Sequence, residues 1–83
     1  MKTVTIYTTP TCGFCRMTKD FFQEHGVQYA EKNVAADDAA AEEMIQKSGQ
    51  MGVPVTLVSD DGKETLIVGF DRPRLSAALG IAL

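Results

Sequence analysis

The chain has 83 residues, of which 45% are hydrophobic and 23% charged, and a formal net charge of −3. A chain this short buries only about 60% of the surface its unfolded state exposes, so it must fold as one compact unit, a single domain over 1–83. The acidic balance argues against nucleic acid or an anionic membrane as a partner, and nothing approaches the ~18 apolar residues of a membrane span.

The first residues, Met1 to Tyr7, carry one cation and no long apolar run, so no signal peptide is expected. A cytoplasmic location follows as the default expectation. Two cysteines in a reducing compartment are not expected to form a permanent staple. Acidic residues gather at Asp37, Asp38, Glu42 and Glu43, and again at Asp60, Asp61 and Glu64. Arg16 and Lys19 stand beside the cysteines, and Arg72 and Arg74 near the C-terminus. Both sets read as solvated surface.

Thr3 to Tyr7 alternates β-branched and aromatic residues and suits a strand, ended by Pro10 and the threonines around it. From Gly13 onward, Phe14, Met17, Phe21 and Phe22 recur at helical spacing, and His25-Gly26 closes that helix. Val27 to Val34 is a weaker second strand. Asp37 or Asp38 can cap a second helix with Ala40, Ala41, Met44 and Ile45 on one face, stopped by Lys47-Ser48-Gly49. Val53 to Val58 reads as a third strand, and Asp61-Gly62 as a hairpin turn into Thr65 to Val68. A last helix follows Gly69, with Phe70 and Leu75 placed for a hydrophobic staple around an Asp71 cap, and Pro73 in the first turn. The order is β-α-β-α-β-β-α. A mixed sheet with helices on both faces is expected.

Cys12-Gly13-Phe14-Cys15 falls where the first strand's loop turns into the first helix. At or near the N-cap, Cys12 would receive the unpaired N–H groups of the first turn, which favour its anion. Cys15 is one turn further in, more enclosed, and expected to keep its proton longer. That asymmetry suits a thiolate at Cys12 attacking a disulfide, and Cys15 resolving the mixed disulfide. A zinc site needs four ligands, whereas the chain offers two cysteines and His25, so no metal site is expected. An inert disulfide over so short a loop would add little stability.

Gly52-Val53-Pro54-Val55 precedes the third strand, where a proline must sit at a strand's start or edge. Only about 5–6% of X–Pro bonds in folded proteins are cis, so a trans turn is one reading. The other is a cis bond beside the cysteines, leaving the Val53 backbone free to pair with an extended chain. His25 lies at the far end of the helix from Cys12 and reads as structural, while Met17 and Met44 read as core filler. Tyr7 borders the site or packs beneath a helix; Phe70 is a staple or an exposed contact.

Thr5 to Cys15, then Ser48-Gly49, Val53-Pro54 and Gly69-Phe70-Asp71, resemble glutaredoxins and the related NrdH-type redoxins that supply electrons to ribonucleotide reductase. The resemblance runs nearly end to end. It implies a thioredoxin-like α/β fold with a four-stranded mixed sheet and three helices, a cis Pro54 and a disulfide-reducing Cys12. It also implies that Phe14 flanks bound glutathione, that the Val53 main chain bonds to it, and that Asp71 lies near its amino group. No tightly bound cofactor is implied; glutathione is the expected reductant, thioredoxin reductase the alternative, disulfide-containing proteins the substrates, and a monomer the expected state. Thr9 stands where glutaredoxins often carry lysine, Gly52 where threonine is common, Gln50 near a usual basic position, and Gly69-Phe70 in place of Gly-Gly. Gly-Phe followed closely by proline is closer to the NrdH-type redoxins. An iron–sulfur carrier with the cluster on Cys12 and glutathione is a further reading, opposed by the competing thiol of Cys15. A non-catalytic module binding chains at the Val53-Pro54 edge is another.

Overall fold

The computed structural model describes residues 2–81 as β1 (Lys2–Thr8), α1 (Gly13–Glu24), β2 (Ala30–Asn33), α2 (Asp38–Ser48), β3 (Val55–Asp60), β4 (Lys63–Val68) and α3 (Arg72–Leu79). The strands form one sheet in the order β2-β1-β3-β4. β1 pairs parallel with β2 and antiparallel with β3, which in turn pairs antiparallel with β4. The expected mixed sheet and element order are therefore present.

Strand alternation splits the core into two layers. Val4 and Ile6 of β1, Val58 of β3 and Ile67 of β4 face Phe21 and Phe22 of α1 and Leu75 of α3. Tyr7, Val55 and Leu57 face the other way, against Met44 of α2. α2 lies across the strands and is tied at both sides of the sheet, by Lys32–Glu43 at 2.8 Å and Lys47–Glu64 at 3.0 Å. Tyr7 is fully buried under this helix, with the Lys32 ammonium 5.8 Å from its ring centre, so packing accounts for it.

The local signals work as capping chemistry predicts. Asp37 accepts from the Ala40 N–H at 3.1 Å, and Asp71 from the Arg74 N–H at 3.2 Å. Phe70 is half-buried against the core and meets Phe21 edge-on at 6.0 Å, which resolves it as a staple. Asp61 and Gly62 both take positive φ, 49° and 87°, as a two-residue hairpin of this hand requires. His25 caps α1, its ring 4.5 Å from that of Phe21.

Three expectations shift. β2 is only four residues long, because Val27 and Tyr29 turn into the core instead of joining the ladder. β3 starts at Val55 because Pro54 has no N–H to donate to a ladder; the Val53–Pro54 bond is cis. On α1 the buried stripe is Cys15, Thr18, Phe21 and Phe22, so Met17 is not core filler: it is 47% exposed, and Phe14 is 63% exposed. The small residues Cys15 and Thr18 take inward positions, and Thr18 satisfies its hydroxyl on the Phe14 carbonyl at 2.9 Å.

These two methionines give opposite expectations. Met44→Ala should lower unfolding free energy by about 2–5 kcal/mol, and Met17→Ala should change it by less than ~0.5 kcal/mol, in urea titrations of the reduced protein. Equal losses for both would contradict the burial described.

Candidate functional site

The register decides which loops meet. Tyr7 lies opposite Val55, and Val55 opposite Val68, so the end of β1, the start of β3 and the end of β4 share one edge. Parallel pairing of Thr8 with Asn33 brings the end of β2 there too. Thr9–Cys12, Val53-Pro54 and Gly69–Asp71 therefore cluster, and the Gly69 N–H closes the group by donating to the Pro54 carbonyl at 2.8 Å.

Cys12 is the N-cap of α1, with extended φ and ψ of −90° and 112°. Its Sγ accepts the Cys15 N–H at 3.1 Å, the bond that a capping oxygen makes elsewhere. The preceding loop folds back on itself, with the Cys12 N–H donating to the Thr9 carbonyl at 3.3 Å. Cys12 is half-exposed, while Cys15 is 1% exposed and both thiols are free. Burial, and next its hydrogen bond to Cys12, push the Cys15 thiol well above its ordinary range. The two cysteines lie three residues apart in sequence but are unequally exposed.

Cys12 lies on the wall of an open polar cleft of about 470 Å³, with Thr8, Thr9, Thr11, Arg16, Lys19 and Glu31 among its other walls. Glu31 of β2 accepts from the Thr8 hydroxyl at 2.7 Å and from Lys19 at 2.9 Å. Those two donors, Thr8 first, hold its carboxyl below the usual carboxylate range, and the same bond raises Lys19. Through Gly13 the cleft adjoins an apolar hollow of about 280 Å³ lined by Phe14 and Met17.

The sequence-derived residues fall into place unevenly. Cys12, Cys15, Val53 and Pro54 share the loop edge, and Phe14 stands exposed one residue past Gly13. Asp71 is at the same edge but half-buried, with one oxygen on the Arg74 N–H and the other 3.6 Å from the Arg74 guanidinium. Arg72 lies over the Phe21 ring at 5.6 Å, facing the core layer. Sequence reading missed Thr8 and Glu31. Thr8 was recognisable as an inward position of an alternating strand, whereas nothing local marks Glu31, whose partners lie 23 and 12 residues away. Among the described residues no group of three or more His, Cys, Asp or Glu is placed to hold a metal ion. No helix among them is long and apolar enough to cross a membrane.

A four-stranded mixed sheet flanked by helices, with a Cys-x-x-Cys opening the first helix, defines a thioredoxin-fold redox protein with a neighbouring cysteine pair. The family model for glutaredoxin matches residues 4–63. The chain belongs to the glutaredoxin family. It is 39% identical over 83 residues to a glutaredoxin of Neisseria meningitidis serogroup A, covering 98% of this chain and 93% of that relative. Among solved structures it is similar to a variant of the thioredoxin-like protein BC3987, with a TM-score of 0.84, 28% identity and coverage of 99% and 100%. It is also similar to the glutaredoxin-like NrdH-redoxin of Escherichia coli, with a TM-score of 0.75, 27% identity and coverage of 89% and 91%.

The raised Cys15 thiol has a consequence for stability. Above the ordinary thiol value of about 8.5, the unfolded chain releases that proton while the folded one keeps it, so the unfolded state binds fewer protons and stability falls as pH rises. Tyr7, pushed up to about 12 chiefly by burial, adds the same sign only above about 10. Reduced protein should therefore lose up to ~1.4 kcal/mol per pH unit between about 8.5 and 10 in urea midpoints, and Cys15→Ala should flatten that slope. An unchanged slope in the variant would remove Cys15 as its source.

Proposed function

We propose that the chain is a dithiol thiol–disulfide oxidoreductase in which Cys12 attacks and Cys15 resolves. The observation that carries this reading is the unequal exposure of the two sulfurs around one amide: Cys12 open to the cleft at a helix N-cap, Cys15 buried beneath it. The Cys12 thiolate forms a bond to one sulfur of a substrate disulfide and expels the other as a thiolate. Cys15 then gives up its proton and attacks the Cys12 sulfur, releasing the second substrate thiolate and leaving a Cys12–Cys15 disulfide. Two electrons from an external thiol reductant restore the pair. A reducing compartment such as the cytoplasm suits this cycle.

Glutathione is the proposed reductant and disulfide-containing proteins the proposed substrates. Support comes from the family membership and from Val53, Phe14 and Asp71 standing at or beside one edge of the sheet, where a tripeptide could lie along the Val53 backbone. A second reading, an NrdH-type redoxin reduced by thioredoxin reductase, is favoured by the exposed Phe14–Met17 hollow, which suits a protein donor more than a charged tripeptide. The similar E. coli structure is described in terms of a thioredoxin-like activity profile.

Cys12→Ser should abolish reduction of both small and protein disulfides, and turnover at the wild-type rate in that variant would end this proposal. Cys15→Ser should keep only reactions that pass through a glutathione mixed disulfide. NADPH consumption on a small disulfide, coupled either to glutathione and its reductase or to thioredoxin reductase, separates the donors. The glutathione arm should be the active one. A flat glutathione trace beside an active thioredoxin reductase trace would replace it with the second reading.

A further inference from the structure

The loop leading into Val53 is held by a side chain rather than by the sheet. Gln50, two residues past the helix stop, turns its carboxamide onto the backbone of Gly52. Gly52 donates its N–H to Gln50 Oε1 at 2.6 Å, and Gln50 Nε2 donates to the Gly52 carbonyl at 3.0 Å. The carboxamide thus occupies both polar groups of Gly52, as a paired strand would. Ser48, in the last turn of α2, donates to the Met44 carbonyl at 2.6 Å, and the same hydroxyl stands 3.1 Å from the Gln50 carbonyl. On the other side, the Pro54 carbonyl accepts from Gly69 at 2.8 Å. Val53 sits between these two fixed points.

Gly52 is matched to this clamp. A Cβ built there would lie 2.7 Å from Gln50 Oε1, closer than side chains and methyl groups approach. Gly52 is not among the positive-φ residues, and a side chain there would displace the end of the Gln50 carboxamide.

We propose that Gln50 is a positioning residue for disulfide reduction, fixing the Gly52–Val53 peptide so that the Val53 backbone can pair with an extended polypeptide substrate. This rests on the oxidoreductase reading above and adds to it the device that presents the pairing edge. Gln50 touches no reacting atom. Its effect should appear only with substrates that have a backbone to pair, and should leave chemistry at the Cys12 sulfur unchanged.

With dithiothreitol as reductant, so that no glutathione backbone is in play, the test compares a peptide carrying a mixed disulfide within an extended segment with hydroxyethyl disulfide, which has no peptide groups. Gln50→Ala should raise KM for the peptide about tenfold, with kcat little changed, corresponding to the loss of one to two backbone hydrogen bonds. KM for hydroxyethyl disulfide and the rate of Cys12 alkylation by iodoacetamide should stay at wild-type values. Gly52→Ala should reproduce the peptide defect by displacing the carboxamide. The Gln50→Ala/Gly52→Ala double variant should be no worse than either single, because the clash partner is gone. Additive defects, an unchanged peptide KM, or equal losses on both disulfides would each overturn the proposal. Failure of the oxidoreductase reading itself would show separately, as wild-type protein that reduces neither disulfide.

Discussion

The antiparallel pairing of β1 with β3, with Tyr7 opposite Val55, is the constraint on which the arrangement of the site depends. β1 delivers the cysteine loop at its end, and an antiparallel neighbour must begin where β1 finishes. The segment entering β3 is thereby brought beside the segment leaving β1, although some forty residues separate them in sequence. A one-residue slip would also turn Tyr7 and Val55 to the wrong layer and put Ile6 and Thr56 in their place, so burial on both faces locks the register. The same pairing that builds the core therefore builds the site.

Charge is arranged around that edge by local means. The cross-element ion pairs Lys19–Glu31, Lys32–Glu43 and Lys47–Glu64 are partly exposed, and pairs of this kind contribute only about 0–1 kcal/mol each. Their consequence is placement. Lys19, four residues after Cys15, is drawn onto Glu31, which the buried Thr8 hydroxyl also holds, so its charge is met by a carboxylate. Arg16, four residues after Cys12, remains exposed in the cleft wall. The two cations of α1 thus stand in different electrostatic situations despite the same helical offset from a cysteine.

Much of this was legible in the sequence because it is local. Caps at Asp37 and Asp71, the Asp61-Gly62 turn and the cysteine pair at a helix opening each follow from a few adjacent residues. What was not legible is what tertiary geometry decides. Helical spacing correctly identified α1 as a helix, but Phe14 and Met17 share that spacing with Phe21 while facing out, because periodicity alone does not say which face meets the core, and here that face is Cys15, Thr18, Phe21 and Phe22. Val27 and Tyr29 read as strand residues by type, yet their apolar surface is satisfied in the core layer and the ladder starts after them. Glu31 had no sequence signal because its meaning lies wholly in partners from β1 and α1.

The exposed Phe14 and Met17 bear on function through the same logic. Apolar side chains left in water at the first two turns of a helix forgo burial that Phe21 and Phe22 obtain a turn later. Neither Phe14 nor Met17 belongs to the two core clusters, and the inward positions of these turns are filled by Cys15 and Thr18. Together with Gly13, Phe14 and Met17 line the hollow one residue from Cys12. On one side of Cys12 the surface is therefore polar and cationic, and on the other apolar. Under the proposed oxidoreductase reading, a partner that satisfies both would bring apolar surface and hydrogen-bonding groups together, a combination that a polypeptide around a disulfide supplies more fully than a small thiol does.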